Sequence, residues 1–376
     1  MSAEAIPVTL LTGFLGSGKS TLLTRILSDP AFSDTAVVVN EFGDVGLDQF
    51  LVEHSDEQLV EMTSGCLCCT IRGDIRETLL DLHRRRALGQ IPGFRRLVVE
   101  TTGLADPAPV IHTLMTEERL TDTFVLSGVI TTVDIVSAET TLSRHEECVK
   151  QIAVADRIVL TKTDLAKDPA SQKDIRILRE TISRMNPGAP VLDRNDPGFD
   201  FRELFDTALY DPVMKGFKVQ EWLNAEAFED AHVHNHALHA HDHGHAHQDH
   251  MEHRHDVNRH GTEVQAYSLV MDEPVSTMAF TVALELLIAN QGADLLRVKG
   301  IISLAEKPEE PVIIHGVQHV FHEPVWLDKW PTEDHRTKLV FITRNIPRET
   351  IDSFFRAWQK FGSKQDAETP LAQASP

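Results

Sequence analysis

Residues 13–20 carry the strongest chemical pattern in the sequence. They read GFLGSGKS and fit G-x-x-x-x-G-K-[ST], the pattern of loops that bind nucleotide phosphates. Backbone N–H groups in such a loop attract phosphate oxygens, the lysine adds a positive charge, and the final hydroxyl is a ligand for Mg²⁺. An apolar run precedes the motif and a helical pattern follows it, which is the required context. The predicted phosphate-binding residues are Gly13, Phe14, Leu15, Gly16, Ser17, Gly18, Lys19, Ser20 and Thr21.

A second pattern predicts which base the nucleotide carries. Thr161, Lys162, Thr163 and Asp164 follow an apolar run and fit N/T-K-x-D, a motif that reads guanine. The Asp164 carboxylate can accept hydrogen bonds from the N1–H and N2–H₂ groups of guanine, whereas adenine would leave it unpaired. The sequence therefore predicts GTP rather than ATP.

Two acidic residues end predicted strands. Glu100 closes the run RLVVE and is expected near Mg²⁺, because a carboxylate at the end of a buried strand is costly without a cation or hydrogen-bond donors. Gly103 follows it, and its N–H is expected to sense the γ-phosphate. Glu41, in NEFG, could serve Mg²⁺, a second metal or the catalytic water, and these three roles stay open. Together with Lys19, the two glutamates form the predicted catalytic set.

Three cysteines lie within four residues at Cys66, Cys68 and Cys69. We expect them at the N-terminus of a helix, where thiol pKa values fall and thiolates bind soft or borderline divalent metals. A tetrahedral Zn²⁺ ion needs four ligands, so the cysteines leave one position open, with Glu41 as the other candidate ligand. A redox pair or thiols packed without function are the alternatives. Cys148, alone in a predicted helix, is more consistent with a small buried hydrophobic residue.

Residues 232–260 contain 12 of the 20 histidines. Imidazoles bind Zn²⁺, Ni²⁺, Co²⁺ or Cu²⁺, so this low-complexity segment is expected to capture or buffer metal, with a hydrophilic linker as the alternative. Isolated histidines near strands (His315, His319 and His322) are more often surface or core residues than ligands. The predicted auxiliary ligands are His239, His241, His243, His245 and His247.

Composition restricts the partners. The net charge of −21 would not become positive even if all 20 histidines were protonated, so nucleic acid is not an expected partner. Four cysteines, three of them clustered, are not a disulfide framework and fit a reducing compartment. The sequence shows neither a signal-peptide pattern nor a run of about 18 apolar residues, so we expect a cytoplasmic protein without a membrane partner.

The order of apolar runs predicts an α/β protein. Near-continuous Val/Ile/Leu runs alternate with helical patterns up to about residue 210, which indicates a mostly parallel sheet covered on both faces. A smaller C-terminal α+β domain follows, with helices on one face of an antiparallel sheet. The predicted divisions are a P-loop GTPase domain at 1–215, a linker with the His-rich segment at 216–262, the α+β domain at 263–361 and a disordered tail at 362–376.

The motifs GFLGSGKS, NEFG, CLCC, ETTG and TKTD stand in this order before the His-rich linker and the small domain. This arrangement resembles the CobW-type P-loop GTPases, including the zinc-regulated GTPase metalloprotein activators, over residues 6 to about 360. The resemblance implies a GTPase, converting GTP and water to GDP and phosphate, that acts as a metallochaperone. It further implies that Cys66, Cys68 and Cys69 bind metal beside the nucleotide and that hydrolysis delivers this metal to an apo client. Zinc is the first choice of metal.

Other functions remain in competition. A cobalt chaperone for cobalamin synthesis is the nearest alternative. A passive metal buffer would use the histidines and thiols and leave the P-loop without a role, and a small-molecule P-loop kinase would need an acceptor pocket. The client and the oligomeric state stay open, with a homodimer among the alternatives.

Overall fold

The computed structural model describes residues 5–40, 59–61, 67–71, 75–205, 223 and 264–365. The chain divides into two compact units, one that contains residues 1–214 and one that contains residues 263–376. Glu41, Cys66 and the five histidines predicted as auxiliary ligands lie outside the described residues.

The described residues of the first unit form a sheet of eight strands, in the order β3-β4-β2-β5-β1-β6-β7-β8. All neighbouring strands are parallel except β3, which is antiparallel to β4. The strands are β1 (Ile6–Gly13), β2 (Thr35–Asn40), β3 (Leu59–Glu61), β4 (Leu67–Ile71), β5 (Arg96–Thr101), β6 (Phe124–Asp134), β7 (Arg157–Thr161) and β8 (Val191–Asp193).

Helices cover both faces of this sheet, as the continuous apolar strands predict. On one face, Leu22 and Ile26 of α1 pack with Leu11 and Val159. On the other face, Ile152 and Ile182 pack with Ile158 and Leu160, the neighbours of Val159 in β7. The helices are α1 (Lys19–Ser28), α2 (Ile75–Ala87), α3 (Ala108–Thr116), α4 (Glu118–Thr121), α5 (Ala138–Arg144), α6 (Glu146–Ala153), α7 (Pro169–Met185) and α8 (Arg202–Phe205).

The segment that carries Cys68 and Cys69 is a strand, whereas the sequence predicts the start of a helix there. Leu67–Ile71 form strand β4, whereas helix α2 begins only at Ile75. The prediction that Cys68 and Cys69 lie at a helix N-terminus is therefore wrong, and the argument for lowered thiol pKa values loses its basis. The physical reason is that a short run of apolar and β-branched residues pairs well along β2, where Cys68 is opposite Val37.

The second unit is built on an antiparallel sheet in the order β12-β11-β10-β14-β9, with β13 paired to β11. In the part of this unit that the structure describes, two helices lie on one face, where Phe280 and Phe355 pack with Phe341 in the core. This arrangement confirms the predicted α+β domain. Its elements are β9 (Val264–Met271), α9 (Thr277–Gln291), β10 (Arg297–Leu304), β11 (Lys307–Val317), β12 (Val320–Phe321), β13 (Val325–Trp326), β14 (Thr337–Arg344) and α10 (Arg348–Gln365).

Candidate nucleotide site

The phosphate loop leaves β1 at Gly13 and enters α1 at Lys19. Gly13 has a φ of 140°, and a Cβ atom there would collide with the Oγ1 atom of Thr132 in β6 and would lie 2.8 Å from Oγ of Ser17. Only glycine fits a backbone that turns this tightly against the neighbouring strand. The turn directs the loop across the carboxyl end of β1, where ligands of parallel α/β sheets bind.

Two threonines from neighbouring strands hold the loop through Ser17. The Ser17 and Thr132 hydroxyl oxygens are 2.6 Å apart. The Thr161 hydroxyl, at the end of β7, donates to the Ser17 carbonyl oxygen over 2.7 Å, and the Thr161 side chain is fully buried. Thr161 was assigned to the nucleotide site from the TKTD motif, and its observed contact is with the phosphate loop.

Lys19 points back into the loop that precedes it. Its Nζ atom donates to the carbonyl oxygens of Gly13 at 2.8 Å and Phe14 at 3.2 Å, and the residue is 8% exposed. These contacts hold the ammonium group under the loop backbone. From there it can compensate the charge of phosphates bound to the loop N–H groups.

Ser20 and Glu100 form an oxygen pair at the start of α1. The Ser20 hydroxyl donates to Oε1 of Glu100 over 3.0 Å, and Glu100 is 5% exposed at the end of β5. A hydroxyl and a carboxylate are hard oxygen ligands of the kind that Mg²⁺ prefers. The pair therefore fits the predicted Mg²⁺, and burial of the carboxylate favours a nearby cation.

The loop after β5 lies directly against the phosphate loop. A Cβ atom on Gly103 would be 2.5 Å from the backbone nitrogen of Leu15 and 2.6 Å from its Cα atom. Behind this contact, the Thr101 hydroxyl donates to the Thr12 hydroxyl over 2.9 Å. The predicted γ-phosphate sensor and the phosphate loop are thus adjacent.

The TKTD turn is held by residues that the sequence motifs do not include. Lys162 has a left-handed backbone with a φ of 61°, and its Nζ atom lies 2.6 Å from Oδ2 of Asp134, which ends β6. Asp134 is 7% exposed. The carboxylate ending an apolar strand is the same signal that pointed to Glu100, and applied to β6 it could have identified Asp134.

Asp193, whose carboxylate ends β8, and Asn195 in the loop after it support the turn that carries Asp164. The Asn195 amide donates to Oδ1 of Asp164 over 3.0 Å and to the Thr163 hydroxyl over 2.7 Å. The same hydroxyl donates to Oδ1 of Asp193 over 2.6 Å. Burial and the nearby Arg25 lower the pKa of the Arg194 guanidinium, and the Asp164 carboxylate acts in the opposite direction. β8 was missed because it has only three residues.

The predicted metal ligands are not brought together by the described residues. No group of three or more His, Cys, Asp or Glu side chains there is arranged to hold a metal ion. In the described second unit, His315 is buried and His319 exposed, which agrees with core and surface roles. Cys148 is 5% exposed, and this confirms a small buried residue. Among the described residues, no helix is long and apolar enough to cross a membrane.

Backbone pairing locates the cysteine strand relative to β5. Cys69 is opposite Val38 in β2, and Val38 is opposite Val99 in β5. Cys69 therefore lies one row before Glu100 with a single strand between them. Because neighbouring strands are about 4.8 Å apart, the backbones of β4 and β5 are about 10 Å apart.

A phosphate loop that opens the first helix and a TKxD turn on the same edge of a parallel sheet are the features of P-loop GTPases. Residues 7–193 match the model of the CobW/HypB/UreG nucleotide-binding domain, and residues 264–359 match the cobalamin synthesis protein CobW C-terminal domain. The chain belongs to the CobW family of these GTPases.

Its relatives include named zinc proteins. The chain is 32% identical to the zinc chaperone YjiA of Escherichia coli over 94% of this chain and 99% of the relative. It is 28% identical to the zinc chaperone CobW of Pseudomonas aeruginosa, over 93% and 91% of the two chains. The crystal structure of Zn(II)-bound YjiA GTPase from E. coli superimposes with a TM-score of 0.68 at 29% identity, covering 95% of this chain and 99% of that one. These similarities confirm GTP hydrolysis as the activity.

Proposed function

We propose that this GTPase carries Zn²⁺ at Cys66, Cys68, Cys69 and Glu41 and delivers it to an apo-metalloprotein under nucleotide control. The observation that carries the proposal is the position of β4, which places Cys69 one row before Glu100 and one strand away from it. The names of the relatives YjiA and CobW support zinc as the metal. Because the ligands are thiolates, the proposal requires a reducing compartment such as the cytoplasm.

The coupling would pass through β2. This strand lies between β4 and β5, and Asn40, its last described residue, is opposite Ile71 of β4 and Thr101 of β5. Glu41 follows Asn40 directly in the sequence. A change at Glu100 or Gly103 on loss of the γ-phosphate would thus occur in or just after β5, the direct neighbour of β2, and β2 leads into Glu41.

The site geometry supports a set of proposed nucleotide contacts. The phosphates would lie on the N–H groups of the loop, with Lys19 compensating their charge and Asp164 accepting from guanine. Ser20 and Glu100 would hold Mg²⁺, which neutralises charge that develops on the phosphates. Gly103 would offer its N–H to the γ-phosphate, which GDP lacks.

The decisive measurement is the Zn²⁺ affinity of the full chain with a non-hydrolysable GTP analogue, with GDP and without nucleotide. We expect tighter binding with the analogue by about 5- to 150-fold, the range of typical coupling free energies. By reciprocity, Zn²⁺ must raise the affinity for the analogue by the same factor. Equal Zn²⁺ affinities in all three states would contradict nucleotide control. Co²⁺ measured in parallel tests the cobalt alternative.

Two variants separate the carrier from a passive buffer. Deletion of residues 232–260 should leave one tight Zn²⁺ site whose affinity still depends on the nucleotide. The double change Cys68→Ser and Cys69→Ser should remove that site and leave GTP hydrolysis in place. If the deletion instead abolished Zn²⁺ binding and the cysteine change had no effect, the protein would be a histidine-based buffer.

A further inference from the structure

Helix α6 contacts the Gly103 loop, which follows β5. Gln151 in this helix donates from Nε2 to the carbonyl oxygens of Gly103 at 3.2 Å and Ala105 at 3.1 Å. The Gln151 backbone carbonyl accepts from the Thr131 hydroxyl of β6 over 2.7 Å, and the residue is 1% exposed. Gln151 therefore connects the Gly103 loop to the sheet, because its side-chain amide bonds to the loop and its backbone carbonyl bonds to β6.

The same loop also contacts the phosphate loop. Gly103 lies so close to Leu15 that no side chain would fit between them. The ring of Phe14 packs against that of His145, just before α6, with the ring centroids 4.6 Å apart. The phosphate loop, the Gly103 loop and α6 therefore form one packed unit.

We propose that Gln151 is a positioning residue that holds the Gly103 loop ready for the γ-phosphate and so sets the discrimination between GTP and GDP. The inference rests on the proposed role of Gly103 as γ-phosphate sensor. With the amide in place, the N–H of Gly103 stays beside the phosphate loop before GTP arrives, so that little ordering is required on binding. GDP lacks the γ-phosphate that the N–H of Gly103 is proposed to bind, so its affinity depends on Gln151 less than that of GTP does.

A second link between helix and loop is weaker. Lys150 Nζ lies 2.8 Å from Oδ2 of Asp106, but the two side chains are 22% and 26% exposed. Solvent screens an ion pair at such a position, and its effect on loop placement is small. The Gln151 amide is fully enclosed and bonds directly to the carbonyl group of Gly103, so it is the principal constraint.

The test is Gln151→Met, which keeps the volume of the side chain and removes both donors. The matched control is Asn186→Leu. The Asn186 amide is also buried and donates to the carbonyl oxygens of Ile152, Ala153 and Ala155, which directly follow Gln151 at the C-terminal end of α6. Both variants remove a buried amide that donates to backbone carbonyls, but only Gln151 bonds to the Gly103 loop.

The readout is the ratio of the dissociation constants for GDP and for a non-hydrolysable GTP analogue, measured with Mg²⁺ and without Zn²⁺, together with the unfolding temperature. We expect Gln151→Met to weaken the analogue relative to GDP by about tenfold, the loss of roughly one net hydrogen bond. Asn186→Leu should lower the unfolding temperature and leave the ratio unchanged. An unchanged ratio in Gln151→Met, or the same change in both variants, would overturn the inference. Because no Zn²⁺ is present, failure of the metal-carrier proposal would not affect this result.

Discussion

Replacement of Thr161 by valine tests whether the TKTD motif supports the phosphate loop. Valine keeps the shape of the fully buried side chain and removes the hydroxyl that donates to the Ser17 carbonyl oxygen over 2.7 Å. A buried acceptor left without its donor costs about 1–3 kcal/mol. Part of this cost should appear as lower stability and part as weaker nucleotide binding, because Ser17 lies in the loop that holds the phosphates.

The expected loss of nucleotide affinity is about 5- to 30-fold, which corresponds to roughly 1–2 kcal/mol of that cost. GDP and a GTP analogue should lose the same factor, because both carry the phosphates that the loop binds. This pattern differs from the ratio change expected for Gln151→Met.

Fluorescent nucleotide titration and thermal unfolding measure the two effects. The control is Thr343→Val in the second unit, where an equally buried hydroxyl donates to the Ile346 carbonyl oxygen over 3.1 Å. It should lower stability and leave nucleotide affinity unchanged. The reasoning is refuted if Thr161→Val loses stability while both nucleotides bind as tightly as to the wild type.

Three further outcomes are expected. Asp164→Asn should weaken GTP binding by about 10- to 100-fold through the loss of charge-assisted hydrogen bonds and should favour xanthosine triphosphate, which competition titration measures. Cys148 should resist iodoacetamide at pH 8 in the native protein and react after unfolding, as peptide mapping would detect, because burial raises the pKa of its thiol to about 11. The same shift makes the native state less stable as pH rises from 9.0 towards 11, since the unfolded thiol ionises first. Glu306→Gln should lower the stability of the second unit by about 0.5–1 kcal/mol in urea unfolding, since this carboxylate accepts from the backbone N–H and hydroxyl of Thr277 at the start of α9.

The sequence predicts the parts of this fold that depend on long periodic patterns. The parallel sheet, its helices and the antiparallel second unit follow from continuous or alternating apolar runs. The helical pattern over residues 143–153 predicts one helix, whereas the structure has two, α5 and α6, which are divided at His145. The short strands β4 and β8 are not predicted, because runs of five and three residues carry little periodicity.

The supporting residues of the site were missed for a different reason. Thr132, Asp134 and Gln151 lie outside every motif, because a motif describes contacts with the ligand and not contacts between loops. Their roles depend on the order of strands in space, which places β6 beside β1. Of these three residues, only Asp134 could have been predicted from the sequence, because its carboxylate ends an apolar strand.

The order of strands also separates the residues proposed to bind guanine from those proposed to bind the γ-phosphate. The residues proposed to bind guanine and those that support them lie at the ends of β6, β7 and β8, on one side of the phosphate-loop strand β1. On the other side, Glu100 lies in β5 and Gly103 in the loop after it, and β5 is followed by β2 and then by β4 with its cysteines. The residues proposed to contact the γ-phosphate are therefore nearer to the proposed metal ligands than the residues proposed to contact guanine, which are several strands away. A carrier built in this way can respond to hydrolysis without any change in how it holds the base, because the signal and the base are read on opposite sides of β1.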